Sequence, residues 1–260
     1  FDLNSLYPNL IVQYNMSPET ITEAQAPNGV LGYLESDPIP RDFRNKNISI
    51  AANGSTYDKS KQGILPQIII DYYAERSEVK KQMLSKEREY QKEKTFHLEK
   101  EINQLENQQM AIKILLNSLY GALGNKHFRY FDMRMAEGIT LSGQLSIMWA
   151  EKAMNKEMNR ILKTENRDYV IAMDTDSLYI NMGPLVKQLN PKDPVVALDK
   201  ICSEHFEKVL EKSYAELFDK QQAYTNRMVM AREVIANRGI WTAKKRYILN
   251  VHNSEGVQYA

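Results

Sequence analysis

The chain has 260 residues, 43% of them hydrophobic, enough to bury a sizeable core in one large domain or two small ones. Its 34 basic and 33 acidic residues leave a formal net charge of +1, which argues against a surface that clamps nucleic acid all over and leaves local basic patches open. The lone Cys202 excludes an internal disulfide and a cysteine metal cluster, and reads as a small buried hydrophobe in a reducing compartment; no run of about 18 apolar residues suggests a membrane span.

Asp2-Leu3-Asn4-Ser5-Leu6-Tyr7-Pro8 opens the chain. Apolar Leu10, Ile11, Tyr14 and Ile21 predict a short helix within residues 8 to 24, leading away from that string and broken by Pro18. Residues 25 to 65 turn polar and rich in Pro, Gly, Asn and Ser, the chemistry of loops or a hairpin. From Pro66 to about Lys94, and again from about Phe96 to Leu123, strong helix formers dominate and charge is dense. Leu98, Ile102, Leu105, Ile112, Leu116, Leu119 and Leu123 share one helical stripe. An antiparallel helical hairpin is expected, each arm reaching about 40 Å at ~1.5 Å per residue. A two-stranded coiled coil would carry the same pattern.

Residues 136 to 163 predict another helix, with Ile139, Leu145, Met148 and Trp149 on its apolar face. The period then becomes strand-like. Tyr169-Val170-Ile171-Ala172 and Leu178-Tyr179-Ile180 flank Asp174-Thr175-Asp176, a β-hairpin with acidic residues at its tip. Residues 195 to 222 read as helical and Met228 to Val251 as short strands around Gly239 and Lys245. Antiparallel strands with helices set to one side predict an α+β fold.

Asp2 and Asp176 stand far apart in the chain, each where a strand ends, so strands laid side by side would bring two carboxylates to one divalent-cation site. Arg76 and Lys80 are four apart and share a helical face, as do Lys113, Asn117, Tyr120 and Gly121 at steps of three and four. Solvated charges on a charged helix would look the same. Lys244-Lys245-Arg246-Tyr247 sets three charges beside an aromatic on an expected strand, which suits a nucleic-acid backbone or simple solubility.

The opening string, Lys113-Ile114-Leu115-Leu116-Asn117-Ser118-Leu119-Tyr120-Gly121 and Asp174-Thr175-Asp176-Ser177, in that order and with the Lys-Lys-Arg-Tyr string downstream, resemble motifs A, B and C of family B DNA polymerases. Ser17-Pro18-Glu19-Thr20 and Ala122-Leu123-Gly124-Asn125 are most similar to the T-even-like bacteriophage members. The resemblance implies template-directed DNA synthesis with two Mg²⁺ ions, Mn²⁺ being a substitute, on a palm of residues 1–65 and 125–260 with helical fingers of residues 66–124 inserted. It implies that Asp2, Asp176 and the Leu3 carbonyl hold the metals, with Asp174 in support and Glu233 near by. Arg76, Lys80 and Lys113 would grip the dNTP triphosphate beside Asn117, with further contacts from Ser5 and Leu6, and Lys113 near enough to protonate the leaving pyrophosphate. Tyr7 would lie under the deoxyribose and exclude a 2′-hydroxyl, Tyr120 and Gly121 would press on the nascent base pair, and Lys245 and Tyr247 would touch the primer end.

Ala172-Met173 departs from the Tyr-Gly usual before the third motif, so altered primer contacts and extra room at the hairpin for Met173 are expected; Asn4 and Asn9 are also unusual. Because Phe1 precedes the first motif directly, the chain reads as a piece or subunit of a longer polymerase. Its expected partners are primer-template DNA, exonuclease and thumb segments of the same polymerase and a sliding clamp, in the cytoplasm of a phage-infected bacterium. The rival from another class is a catalytically silent member that scaffolds a complex or binds DNA.

Overall fold

In the computed structural model, which describes residues 1–254 and 256–258, strand β1 (Asp2–Leu3) runs into Ser5, whose left-handed backbone (φ 46°) turns the chain into helix α1 (Leu6–Tyr14). Pro8 sits in the first turn, where a missing N–H has no partner to lose. Every residue of α1 except Tyr7 is buried, and the helix stops at Asn15, again left-handed at φ 60°. The helix expected within 8 to 24 thus ends before Pro18, and Ile21 belongs instead to β2 (Ile21–Gln25). The polar stretch that follows holds more order than loop chemistry alone: α2 (Val30–Leu34), β3 (Ile48–Ile50) and β4 (Ser55–Asp58). Strands β2, β4 and β3 form a small antiparallel sheet, and Ser55, Thr56 and Tyr57 are buried in it despite their polarity.

Helices α3 (Ile64–Lys92) and α4 (Phe96–Leu123) make the antiparallel hairpin, and Thr95 caps α4 by accepting the Leu98 amide at 3.3 Å. Burial concentrates at the base, where Ile69, Ile112, Leu116 and Leu123 join the main core; at the far end Leu84 and Phe96 are exposed. A freestanding coiled coil would bury its seam evenly, so the hairpin is an insertion anchored in a larger body. Helix α5 (Met133–Leu162), capped by Asp132, runs through that body with Ile139, Leu145, Trp149, Met154 and Met158 buried, packed against α1 and against a helix near the end of the chain.

Strands β5 (Val170–Asp174) and β6 (Ser177–Ile180) form the acidic-tipped hairpin. Helix α6 (Gly183–Leu189) follows, a short element not among those expected, with Pro184 in its first turn, where proline is favoured. The helix expected over 195 to 222 is divided into α7 (Pro194–Ile201), a wide π-helical turn (Cys202–Phe206) and α8 (Glu207–Lys220), the last packing on α5; Cys202 is buried. Strands β7 (Met230–Ala231), β8 (Val234–Ala243), β9 (Arg246–Ser254) and β10 (Val257–Gln258) follow. Lys244 and Lys245 form the turn between β8 and β9, Lys245 with φ 63°, so only Arg246 and Tyr247 of the basic string lie on a strand as expected.

The decisive feature is the antiparallel order β5-β6-β1-β7. The two residues of β1 are an inner strand, with Asp2 opposite Ser177 on one side and Ala231 on the other. The fold is α+β, antiparallel sheets packed with helices and carrying one inserted helical hairpin.

Candidate active site

The β1–β6 pairing brings the first acidic string to the tip of the β5–β6 hairpin. The Leu3 amide donates to the Asp176 carbonyl at 2.8 Å, and the hairpin turns sharply through Thr175, left-handed at φ 56°. Asp2 and Asp176 consequently line one cleft of about 500 Å³, separated by 174 residues of sequence and one strand spacing in the fold. Burial first, then the negative neighbours Asp176 and Glu233, push Asp2 up to about 6. Burial and the Asp174 carboxylate raise Asp176 as well, against the opposing pull of its own amide and of Lys245. Two partly desolvated carboxylates that destabilise each other's ionised forms are relieved by a cation. Among the described residues no group of three or more His, Cys, Asp or Glu forms a complete metal cage. Magnesium, however, is commonly held by one or two carboxylates with substrate phosphates and water completing its octahedron, so Asp2 and Asp176 fit it.

Arg76 of α3 and Lys113 and Asn117 of α4 form the opposite wall. The Arg76 Nε donates to the Oε1 of buried Gln109 at 3.3 Å, which aims a long flexible side chain at the acidic face. Lys113 and Asn117 are one helical turn apart and exposed to the cleft. Lys80 is exposed but does not line it, standing one turn beyond Arg76.

Ser5, Leu6 and Tyr7 form the floor, with Leu3, Asn4, Pro8 and Thr175 beside them. Tyr7 is wedged in place. Its ring lies 4.7 Å from that of Tyr120, tilted 46°, and its Cε1 is 3.3 Å from where a Cβ at Gly143 of α5 would stand. Gly143 therefore lets α1 approach α5 closely enough to seat the ring. Gly121 is exposed, with nothing within 4 Å of the position a Cβ would take. The unusual asparagines work together: Asn9 Nδ2 donates to the Asn4 carbonyl at 2.7 Å, tying α1 to the turn that carries the floor.

Lys245 and Tyr247 lie outside the cleft lining; Lys245 sits in the β8–β9 turn, near enough for its charge to pull against the rise of the Asp176 carboxyl, and Tyr247 follows on β9. That hairpin is seated by rings: Tyr179 of β6 lies 5.4 Å from both Trp241 of β8 and Tyr247 of β9, in edge-on geometry. Ala172 is the cross-strand partner of Tyr179, so a larger ring there would have joined this cluster. Met173 is 40% exposed on edge strand β5 and needs no extra room, contrary to expectation.

Asn4, expected only to be unusual, and Pro8 and Thr175, expected in no role, also line the cleft, each inside one of the motifs. Gln109 was also legible, four residues before Lys113 on the same face. Trp241, Tyr179 and Gly143 carried no signal, because their roles depend on elements meeting across the fold.

A family model for DNA polymerase family B matches residues 1–255. The DNA-directed DNA polymerases of Enterobacteria phage T4 and of Escherichia phage RB69 are each 31% identical over the whole of this chain, which covers 35% of each of them. The DNA polymerase alpha catalytic subunit of Dictyostelium discoideum is 30% identical over 70% of this chain and 10% of its own length. The chain thus spans about a third of the length of the phage relatives it matches.

Proposed function

Because the chain belongs to DNA polymerase family B, we propose that it is the palm-and-fingers core of a DNA-directed DNA polymerase, adding dNTPs to a primer 3′-hydroxyl under direction of a template. The palm comprises residues 1–65 and 125–260 and the fingers residues 66–124. One observation carries the reading: two carboxylates from opposite parts of the chain face two basic side chains of a helical hairpin across one cleft.

In the reaction the primer 3′-oxygen forms a bond to the α-phosphorus, the bond from that phosphorus to the pyrophosphate oxygen breaks, and the hydroxyl proton leaves. Asp2 and Asp176, with the Leu3 carbonyl, would hold two Mg²⁺ ions, which when bound favour the attacking oxyanion and neutralise charge on the departing pyrophosphate. Arg76 and Lys113 bind the triphosphate oxygens, with Lys80 contributing at longer range and Asn117 and the Ser5 and Leu6 amides close by. Lys113 supplies the proton to the pyrophosphate as it leaves. Tyr7 is held rigidly by Tyr120 and Gly143, so its ring is an unyielding wall at the sugar. Tyr120 and Gly121 face the nascent base pair, Asp174 adds a supporting carboxylate to the metal site, and Lys245 and Tyr247 hold the primer end. Primer-template DNA, the exonuclease and thumb segments of a longer polymerase, and a sliding clamp are the partners this reading calls for, in the cytoplasm of an infected bacterium.

Metal-dependent primer extension by the polymerase containing this chain is the test. Asp176→Asn should lower the rate by several orders of magnitude, because removing one charge of the pair costs several kcal/mol of transition-state stabilisation. Extension unaffected by Asp176→Asn would sink the carboxylate assignment, and a wild-type enzyme that binds DNA but extends no primer would leave the silent scaffold as the better reading.

A further inference from the structure

The first turn of any α-helix presents four backbone N–H groups that no carbonyl of the same helix receives. In α3 one neighbouring segment accounts for them. The Gly63 amide donates to Asn15 Oδ1 at 2.7 Å, the Ile64 amide to Glu19 Oε1 at 2.5 Å and the Leu65 amide to Ser17 Oγ at 3.3 Å. The fourth position is Pro66, which has no N–H to satisfy. Helix α3 contributes no cap of its own, since Gly63 has no side chain, so its base is held by residues 15 to 19 of the sheet-bearing body.

That segment is itself braced. Asn15 and Ser17 are fully buried, and the Asn15 Nδ2 donates to the Asp58 and Lys61 carbonyls at 2.8 and 2.9 Å. The Ser17 hydroxyl donates to Glu19 Oε2 at 2.6 Å, and the Thr20 hydroxyl donates to the Asn15 and Ser17 carbonyls at 2.5 and 3.0 Å. The approach is tight, for a Cβ at Gly63 would stand 2.6 Å from that of Ser17. Only glycine fits there. Although burial opposes it, the Ser17 hydroxyl and the Ile64 amide hold the Glu19 carboxyl below its ordinary range. Its negative charge therefore faces the positive end of the α3 dipole.

Arg76 stands twelve residues along α3 from Ile64, about 18 Å at ~1.5 Å per residue, so a tilt of about 5° at the base would displace it by roughly 1.5 Å. Displacements of about 1 Å in a reacting site can cost on the order of a hundredfold. We propose that Asn15, Ser17 and Glu19 are positioning residues for nucleotide capture, a clasp of three acceptors that fixes the angle of α3 and thereby the reach of Arg76 to the triphosphate. This rests on the polymerase reading, and it assigns a task to the Ser17-Pro18-Glu19-Thr20 string, which the cleft itself does not use.

Single-turnover incorporation by the polymerase containing this chain, measured over a range of dNTP concentrations, separates affinity from maximal rate. Glu19 is exposed and its variants should fold. Glu19→Ala should weaken dNTP affinity about fivefold, with the maximal rate within about twofold of wild type. Ser17→Ala should show the same division, and Glu19→Gln, which keeps an acceptor for Ile64, should bind dNTP within about twofold of wild type. Unchanged affinity in Glu19→Ala, or equal defects in Glu19→Ala and Glu19→Gln, would overturn the clasp while leaving the polymerase reading intact. A wild-type enzyme that extends no primer would instead overturn that reading, and the clasp's part in nucleotide capture with it.

Discussion

Replacing Trp241 with Ala tests whether the basic turn is held over the acidic cleft by aromatic packing. Trp241 touches both Tyr179 and Tyr247, with ring centroids 5.4 and 6.4 Å away, and the Tyr179–Tyr247 contact at 5.4 Å closes the triangle. Aromatic pairs contribute about 0.5–1.5 kcal/mol each beyond the area they bury, so losing the edge-on Trp241–Tyr179 pair and the tilted Trp241–Tyr247 pair removes about 1–3 kcal/mol. Little else in the outer part of this hairpin compensates, because Ile240 and Ile248 are 63% and 70% exposed. The loss should fall on the seating of Lys244 and Lys245 rather than on global stability. Primer-template affinity at fixed salt should drop roughly 5- to 150-fold, the equivalent of that energy, while the melting temperature shifts by only a few degrees. Equilibrium binding of a labelled primer-template to wild type, Trp241→Ala, Tyr179→Ala and the double variant completes the assay. The cycle should return a coupling of about 0.5–1.5 kcal/mol between the two rings. Wild-type DNA affinity in Trp241→Ala, or strict additivity in the cycle, would refute the aromatic seat.

Tyr7→Ala should leave dNTP incorporation measurable while raising relative use of ribonucleotides by about tenfold or more, since the barrier removed is steric; an unchanged dNTP-to-rNTP ratio would make Tyr7 a packing residue. Arg76→Ala and Lys113→Ala should weaken nucleotide capture more than Lys80→Ala does, because Lys80 stands off the cleft wall. Nucleotide titrations give the ranking, and equal defects in all three would contradict the geometry. Glu157 is held down to about 2 by Arg160 first and also by His205, from an ordinary value of 4.5. Its folded value lies below its unfolded one, so its contribution is complete above pH 4.5 and drains away as pH falls towards 2. The full displacement would correspond to about 3 kcal/mol, which solvent screening of the exposed Arg160 reduces to about 1 kcal/mol. Urea unfolding of wild type and Glu157→Gln should therefore differ by about that amount at pH 6 and converge as pH falls below about 2. A difference that does not change with pH would remove the ion pair as its source.

Local rules were sufficient wherever one stretch of chain decides its own conformation. The helical hairpin, the long helix that follows it and the acidic-tipped β-hairpin were legible because periodicity and turn chemistry act over a few residues, and Asp2, Asp176 and Lys113 stood out because they lie in distinctive strings. Strand β1 shows the opposite case. Two residues have no pattern to read, and Asp2–Leu3 become an inner strand only because β6 and β7 bond them from both sides. Lys245 looked like a strand residue until the pairing of Ala243 with Arg246 left a two-residue turn between them. Arg76 and Lys80 were equivalent in sequence, and the crossing of α3 over the cleft separated them. Composition, helical period and motif thus determined which groups exist and which local elements carry them. Which carboxylates meet, which lysine reaches the cleft and what fixes the base of α3 were decided by pairings between residues far apart in the chain, because hydrogen-bond satisfaction and close packing are properties of the assembled fold.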